Sequence, residues 1–226
     1  MKDLLKYETI IASLGLTNFE EAKYSNGTHT QFKNGIGDHR VSSGYLENQG
    51  CMEAFRNSLK ENYPEMCAGR NIVVIDCTNF VDPDQDKSLR SHTGRHHTTL
   101  ERLVSNKAFA KINKPLQDLR RTKNNLVVNV CTVGRHRSVG NNELQVEVIR
   151  QNLYENQDSV GTIDLQADTH WKGLCKKECP SCDVRSEKHH KSLDKAYDIR
   201  KSIVPSKLRS KKEKHEAEDV EMKERD

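Results

Sequence analysis

The residues able to do chemistry in this chain gather in two stretches. In Cys131-Thr132-Val133-Gly134-Arg135-His136-Arg137-Ser138, a thiol, two hydroxyls, two guanidiniums and an imidazole fall within eight residues. A glycine-containing turn at the start of a helix converges backbone N–H groups and the positive end of the helix dipole on one point. Arg135, His136 and Arg137 add positive charge beside it. Such a loop is built to hold an anion, and phosphate fits best, gripped by loop amides and Arg137. Ser138 is placed to cap the helix and to donate a hydrogen bond. The second stretch, His170-Trp171-x-x-x-Cys175-x-x-x-Cys179-Pro180-Ser181-Cys182, has three cysteines and a histidine, with His189 and His190 beyond. His170, Cys175, Cys179 and Cys182 can give Zn²⁺ its four tetrahedral ligands. Free thiols in a loop behind a strand are the alternative reading.

The elements that must position these groups follow from the apolar pattern. Ile72–Ile75 and Leu126–Cys131 are short apolar runs of the kind found in strands buried on both faces. A third strand is expected over Val160–Leu165. Between them, a helix is expected over 97–112 with Leu100, Leu103 and Val104 inward. Another is expected over Ser138–Tyr154, where Val146, Ile149 and Leu153 share a face beside Leu144. Strand–helix–strand–helix–strand predicts an α/β fold, a small three-layer domain with a mainly parallel sheet, over 71–185. The long polar loop after Ile72–Ile75 and the loop after Leu126–Cys131 both leave carboxyl ends of strands, where open parallel sheets bind their ligands.

Residues 1–70 read as an accessory N-terminal segment. It holds a helix over 1–16, from Leu4, Tyr7, Ile11 and Leu14 with Gly15 as a left-handed cap, and a second helix over 51–62. Residues 186–226 read as a charged tail, partly disordered or helical. Its basic run at Lys207, Arg209, Lys211, Lys212 and Lys214 suits RNA or nuclear import.

The composition sets limits. Apolar residues make up 34% and aromatic ones 5% of 226 residues, against 31% charged, which allows one modest core. The net charge of +4 does not by itself demand a nucleic-acid partner. An odd cysteine count of seven, with no secretory leader, places the chain in a reducing, cytoplasmic setting, with the nucleus left open. No window approaches the roughly 20 apolar residues that span a bilayer, so no membrane partner is expected.

Two families share parts of this pattern. A cysteine followed by an arginine six positions on is the frame of the cysteine-dependent phosphatases, in which the thiolate attacks a phosphate held by loop amides and the arginine. Here Val130 stands where a histidine usually precedes the cysteine, and Pro83-Asp84 lacks the tryptophan of the general-acid loop. Binding without turnover is therefore the expected activity. Cys131 as nucleophile and Arg137 as clamp form the enzymatic alternative.

The longer match is to another family. Asp76-Cys77-x-Asn79-Phe80-x-Asp82-Pro83, then Leu89-Arg90-x-x-Thr93-Gly94-Arg95, then Cys131-Thr132-x-Gly134-x-His136-Arg137-Ser138-Val139 resemble the C-terminal domain of the RapZ family, over roughly Asn71 to Asp183. The resemblance implies a small α/β domain binding a phosphorylated amino sugar, with RNA binding and homo-oligomer formation in the bacterial members. By position it carries over Cys131, Gly134, His136, Arg137 and Ser138 as the ligand loop, and Arg90, Thr93 and Gly94 as a second element. Arg90, Arg95 and His96 would enlarge the positive pocket. Val133 stands where a second glycine is usual, and no G-x-x-x-x-G-K-[ST] loop occurs.

Overall fold

The computed structural model describes residues 5–16, 45–47, 49–122, 124–152, 159–165, 175 and 179–203. Its strands are β1 (Thr9–Gly15), β2 (Asn71–Asp76), β3 (Asn125–Cys131) and β4 (Val160–Asp164). They form one all-parallel sheet in the order β2-β3-β1-β4. The helices are α1 (Gln49–Asn62), α2 (Pro64–Cys67), α3 (His97–Val104), α4 (Phe109–Ile112), α5 (Arg137–Asn152) and α6 (Glu187–Ile203).

The three-layer reading holds because the inner strands β1 and β3 are buried on both faces and the edge strands β2 and β4 are buried in part. Ile11, Ile75 and Val127 pack with Leu100, Leu103, Phe109, Leu144 and Ile149 on one side. Ile10, Leu14, Val74, Leu126, Val128 and Val130 pack with Phe55, Leu59 and Met66 on the other. Period-two alternation assigns the neighbours Ile10 and Ile11 to opposite cores.

Four expectations need correction. Residues 9–15 are not a helix: they form the strand between β3 and β4, so the sheet expected within 71–185 takes an inner strand from the N-terminal segment. The run Thr9-Ile10-Ile11 is β-branched and buried on both faces, and such a short apolar run carries no decisive period. Gly15 is not a left-handed cap either. A Cβ there would lie 2.2 Å from the Val133 carbonyl carbon, so its lack of a side chain admits the loop after β3. The helix expected over 97–112 is two, α3 and α4, because Asn106 turns the chain with its side chain accepting the Ala108 N–H at 2.8 Å. Residues 187–203 of the charged tail are helical, as expected in part, but they pack on the domain rather than lying outside it. In α6, His189, Ser192 and Ala196 are buried, and Leu193 and Ile199 pack on the core. Ser186 starts this helix, its hydroxyl accepting the His189 N–H at 3.3 Å.

The expected helix 51–62 and the strands at 72–75, 126–131 and 160–165 are present, each shifted by a few residues at most. The basic run at 207–214, His170 and the last two residues of the helix expected to Tyr154 lie outside the described residues. Among those described, no helix is long and apolar enough to cross a membrane.

Gly15→Ala gives a first expected outcome. The clash is with backbone atoms, which no rotamer relieves, so urea unfolding should show a loss of roughly 3 kcal/mol.

Candidate functional site: the loop after β3 and a thiol–imidazole cluster

Gly15 and Cys131 are paired at the carboxyl ends of neighbouring strands, and the chain turns there into α5. The turn closes through Gly134 at φ +79°, a conformation glycine adopts without cost. The Gly134 N–H donates to Cys131 Sγ at 3.2 Å, and Ser138 Oγ lies 3.2 Å from the same sulfur. Ser138 therefore steadies the thiol from inside the first turn of α5 and is not the cap expected of it.

Arg137 was expected to face a ligand. It is 8% exposed, and its Nη1 donates to the carbonyls of Thr78 (3.0 Å) and Phe80 (3.2 Å), holding the loop after β2 against the loop after β3. Its Nη2 donates to Thr132 Oγ1 at 2.8 Å and sits 3.7 Å from Asp82, whose carboxylate is 42% exposed. One edge of the guanidinium is thus built into the wall, and the other faces a carboxylate open to solvent.

Beneath the loop lies a buried amide network. Asn129 on β3 donates to Gln145 (2.6 Å) and Asn142 (3.3 Å) and accepts from Asn141 (2.8 Å). Asn113 accepts from Gln145 at 2.6 Å and exchanges hydrogen bonds with Asn141 at 3.1 Å each way. Satisfied amides fix one register where apolar side chains would tolerate several, so α5 presents its first turn to β3 in one orientation. Beside it, Arg95 donates to Glu143 (2.7 Å) and Asp164 (2.9 Å), and Ser13 donates to Asp164. Burial pushes the Asp164 carboxyl up against the lowering pull of Ser13 and Arg95. Arg95 is neutralised here and does not enlarge a positive pocket.

The second site gathers His92, Cys175, Cys179 and Cys182, whose ligand atoms all lie within 4.8 Å of one another, a group that can hold a metal ion. His92 Nδ1 is 3.7, 3.5 and 3.6 Å from the three sulfurs in chain order. A tetrahedral Zn²⁺ with Zn–S about 2.3 Å and Zn–N about 2.05 Å requires N···S edges of about 3.6 Å. The imidazole nitrogen stands at the apex of three sulfurs at that spacing. Burial, with the neighbouring sulfurs, pushes the Cys175 thiol up, and burial pushes Cys182 up. At Cys179 burial is outweighed by hydrogen bonds with Cys175 and the Ser181 and Cys182 backbone, which push that thiol down. A bound cation draws off the protons that remain. His97 Nδ1 lies 3.2 Å from the Ser181 carbonyl and steadies the turn between Cys179 and Cys182.

The two sites share a wall. Gly94 N–H donates to the Arg135 carbonyl at 2.7 Å, and His136 Nε2 lies 2.7 Å from the His92 carbonyl. A Cβ on Gly94 would fall 2.1 Å from the His136 oxygen and 2.3 Å from the Gly140 nitrogen. Cys175 N–H donates to the Ser91 carbonyl at 2.9 Å. Residues 91–94 are thereby sandwiched between the thiol cluster and the Cys131–Ser138 loop.

No family model, curated protein or solved structure matches the chain.

The structure brings Cys131, Thr132, Gly134, Arg135 and His136 into one turn, with Arg137 and Ser138 opening α5 and Gly94 against the back of the turn, whereas the Thr93 backbone meets Cys182. Arg90 is exposed on the β2–α3 loop. His92 as a partner of the three cysteines was missed; the cluster of His92, His96 and His97 within six residues was the available signal. His96 does not add charge. It caps α3, its Nδ1 accepting the Thr98 N–H at 3.2 Å, which requires an unprotonated nitrogen.

Burial, reinforced by His92 and His97, pushes His96 down from 6.5 to about 4. Between those values the unfolded chain binds a proton that the folded one does not, so stability falls as pH drops through that window. Thermal unfolding should show this slope, and His96→Asn, which caps without titrating, should flatten it.

Proposed function

We propose that the chain is a phosphate-ligand binding module of the RapZ C-terminal type, which takes a phosphorylated small molecule at the Cys131–Ser138 loop. The observation that carries this reading is the loop itself, closed through Gly134 at the start of a sixteen-residue helix with Arg137 fixed in its wall. Backbone N–H groups and the helix dipole supply the anion site. The Nη2 edge of Arg137 meets the phosphate, and Asp82 swings away from it. Thr132 holds that edge in place. We further propose that His92, Cys175, Cys179 and Cys182 hold a structural Zn²⁺, closed by four protein ligands and so without an open position for catalysis.

Binding without turnover is favoured over phosphatase chemistry by the burial of Cys131, which is 2% exposed. The observation on the other side is that Cys131 Sγ faces both the Gly134 N–H and the Ser138 hydroxyl, an arrangement that serves a nucleophile. One set of assays separates them. Phosphosugars, but not the parent sugars, should raise the unfolding temperature, and a generic aryl phosphate should not be hydrolysed. Hydrolysis that disappears in Cys131→Ser would establish the enzyme instead. Asp82→Asn removes the carboxylate that competes for Arg137, so phosphate affinity should rise about 2- to 5-fold.

A further inference from the structure

We infer that His136 is a positioning residue that ties the anion loop to the metal centre, so that the metal and the anion bind cooperatively. This rests on the phosphate and zinc readings above and adds the regulation of that site.

His136 stands immediately before Arg137 and is buried. Its Nε2 meets the main-chain carbonyl of His92 at 2.7 Å. A carbonyl only accepts, so Nε2 carries the proton and donates. The residue that offers a side-chain nitrogen to the metal thus offers its carbonyl to the anion loop. Two positions further on, the Gly94 N–H holds the Arg135 carbonyl, and Gly94 has no room for a side chain against His136 and Gly140. Residues 92–94 form a bridge with a metal ligand at one end and the backbone of the anion loop packed on the other.

A metal that gathers His92 with three sulfurs fixes the His92 carbonyl. Through His136, it also fixes the amides on either side of Arg137. Without the metal, only N···S contacts of 3.5–3.7 Å gather the imidazole and the thiols, a weaker tie than coordination, and the loop amides lose part of their preorganisation. Coupling of this kind is reciprocal: if the metal strengthens anion binding by some factor, the anion strengthens metal binding by the same factor. The expected factor is about tenfold, in the usual range for such coupling.

The test uses the full chain with Zn²⁺ and inorganic sulfate, which competes little for the metal. Calorimetry should give sulfate affinity about tenfold higher in the zinc-loaded than in the zinc-free protein. Zinc release to a chromogenic chelator should slow by a similar factor in saturating sulfate, a readout that needs no variant. In His136→Ala both ligands should still bind, but each without influence on the other. His136→Gln, which restores an N–H donor at that position, should recover part of the coupling.

Equal sulfate affinity with and without zinc, and zinc release indifferent to sulfate, would overturn the coupling while leaving the phosphate site standing. Absence of sulfate and phosphosugar binding in both forms would instead remove the phosphate reading beneath it. Failure to retain zinc would remove the metal reading.

Discussion

Cys182→Ser is expected to leave the chain without stoichiometric zinc and to lower the midpoint of thermal unfolding by more than about 10 °C. The size follows from what the site joins. Cys182 and Cys179 lie directly before α6, while His92 lies in the loop after β2. A metal held there would therefore cross-link two segments of the fold separated by 90 residues. Structural zinc contributes its binding free energy to folding, about 10 kcal/mol or more in small domains that depend on it. Here α6 also has its own core contacts through His189, Ser192 and Ala196, so the loss should be smaller, on the order of several kcal/mol. At about 2–4 °C per kcal/mol for a chain of this size, the shift is large. A chelator should shift the wild type to the same extent and leave Cys182→Ser unmoved. Wild-type protein purified free of metal, with a midpoint unchanged by zinc, would contradict the site.

Arg137→Ala is expected to cost roughly 3–5 kcal/mol of stability and to abolish phosphate binding together with it. Most of the cost comes from the carbonyls of Thr78 and Phe80, which lose a charged donor in a buried wall. Arg137→Lys keeps the charge but cannot span two carbonyls and Thr132 in one plane. It should recover less than half of the stability. Urea unfolding and calorimetric titration with phosphate read the two effects separately. If stability fell while phosphate affinity held, Arg137 would be a wall residue alone.

How much of this was legible in the sequence depended on whether a local pattern decided the matter. Ile72–Ile75 and Leu126–Val130 announce parallel strands because the first is a continuous apolar run, the second is apolar except at Asn129, and each is closed by a polar or reactive residue. The strand at 9–15 is equally apolar, but Leu4, Tyr7, Ile11 and Leu14 also fit a helical period. Only pairing to β3 and β4 selects the strand. The packing of helix α6 was hidden by charge. Its core contacts, Leu193, Ala196 and Ile199, are single apolar residues three apart among lysines and aspartates.

The sites divide in the same way. The Cys131–Ser138 loop is contiguous, so its residue types could be read directly. The jobs of Arg137 and Ser138 could not, because both are set by partners distant in sequence or across the turn. The three cysteines were visible as a group, whereas His92 lies 83 residues before Cys175 and joins them only through the fold. Asn141, Asn142 and Gln145 are polar residues within the helix expected over Ser138–Tyr154, and they are buried because Asn113 and Asn129 meet them.

A crystal of the zinc-loaded chain soaked in phosphate tests the central claim most directly. One tetrahedral anion should stand against the main-chain N–H groups between Val133 and Arg137, within hydrogen-bond reach of Arg137 Nη2 and with Asp82 displaced. A loop left empty at saturating phosphate, with Asp82 still beside Arg137, would contradict the account.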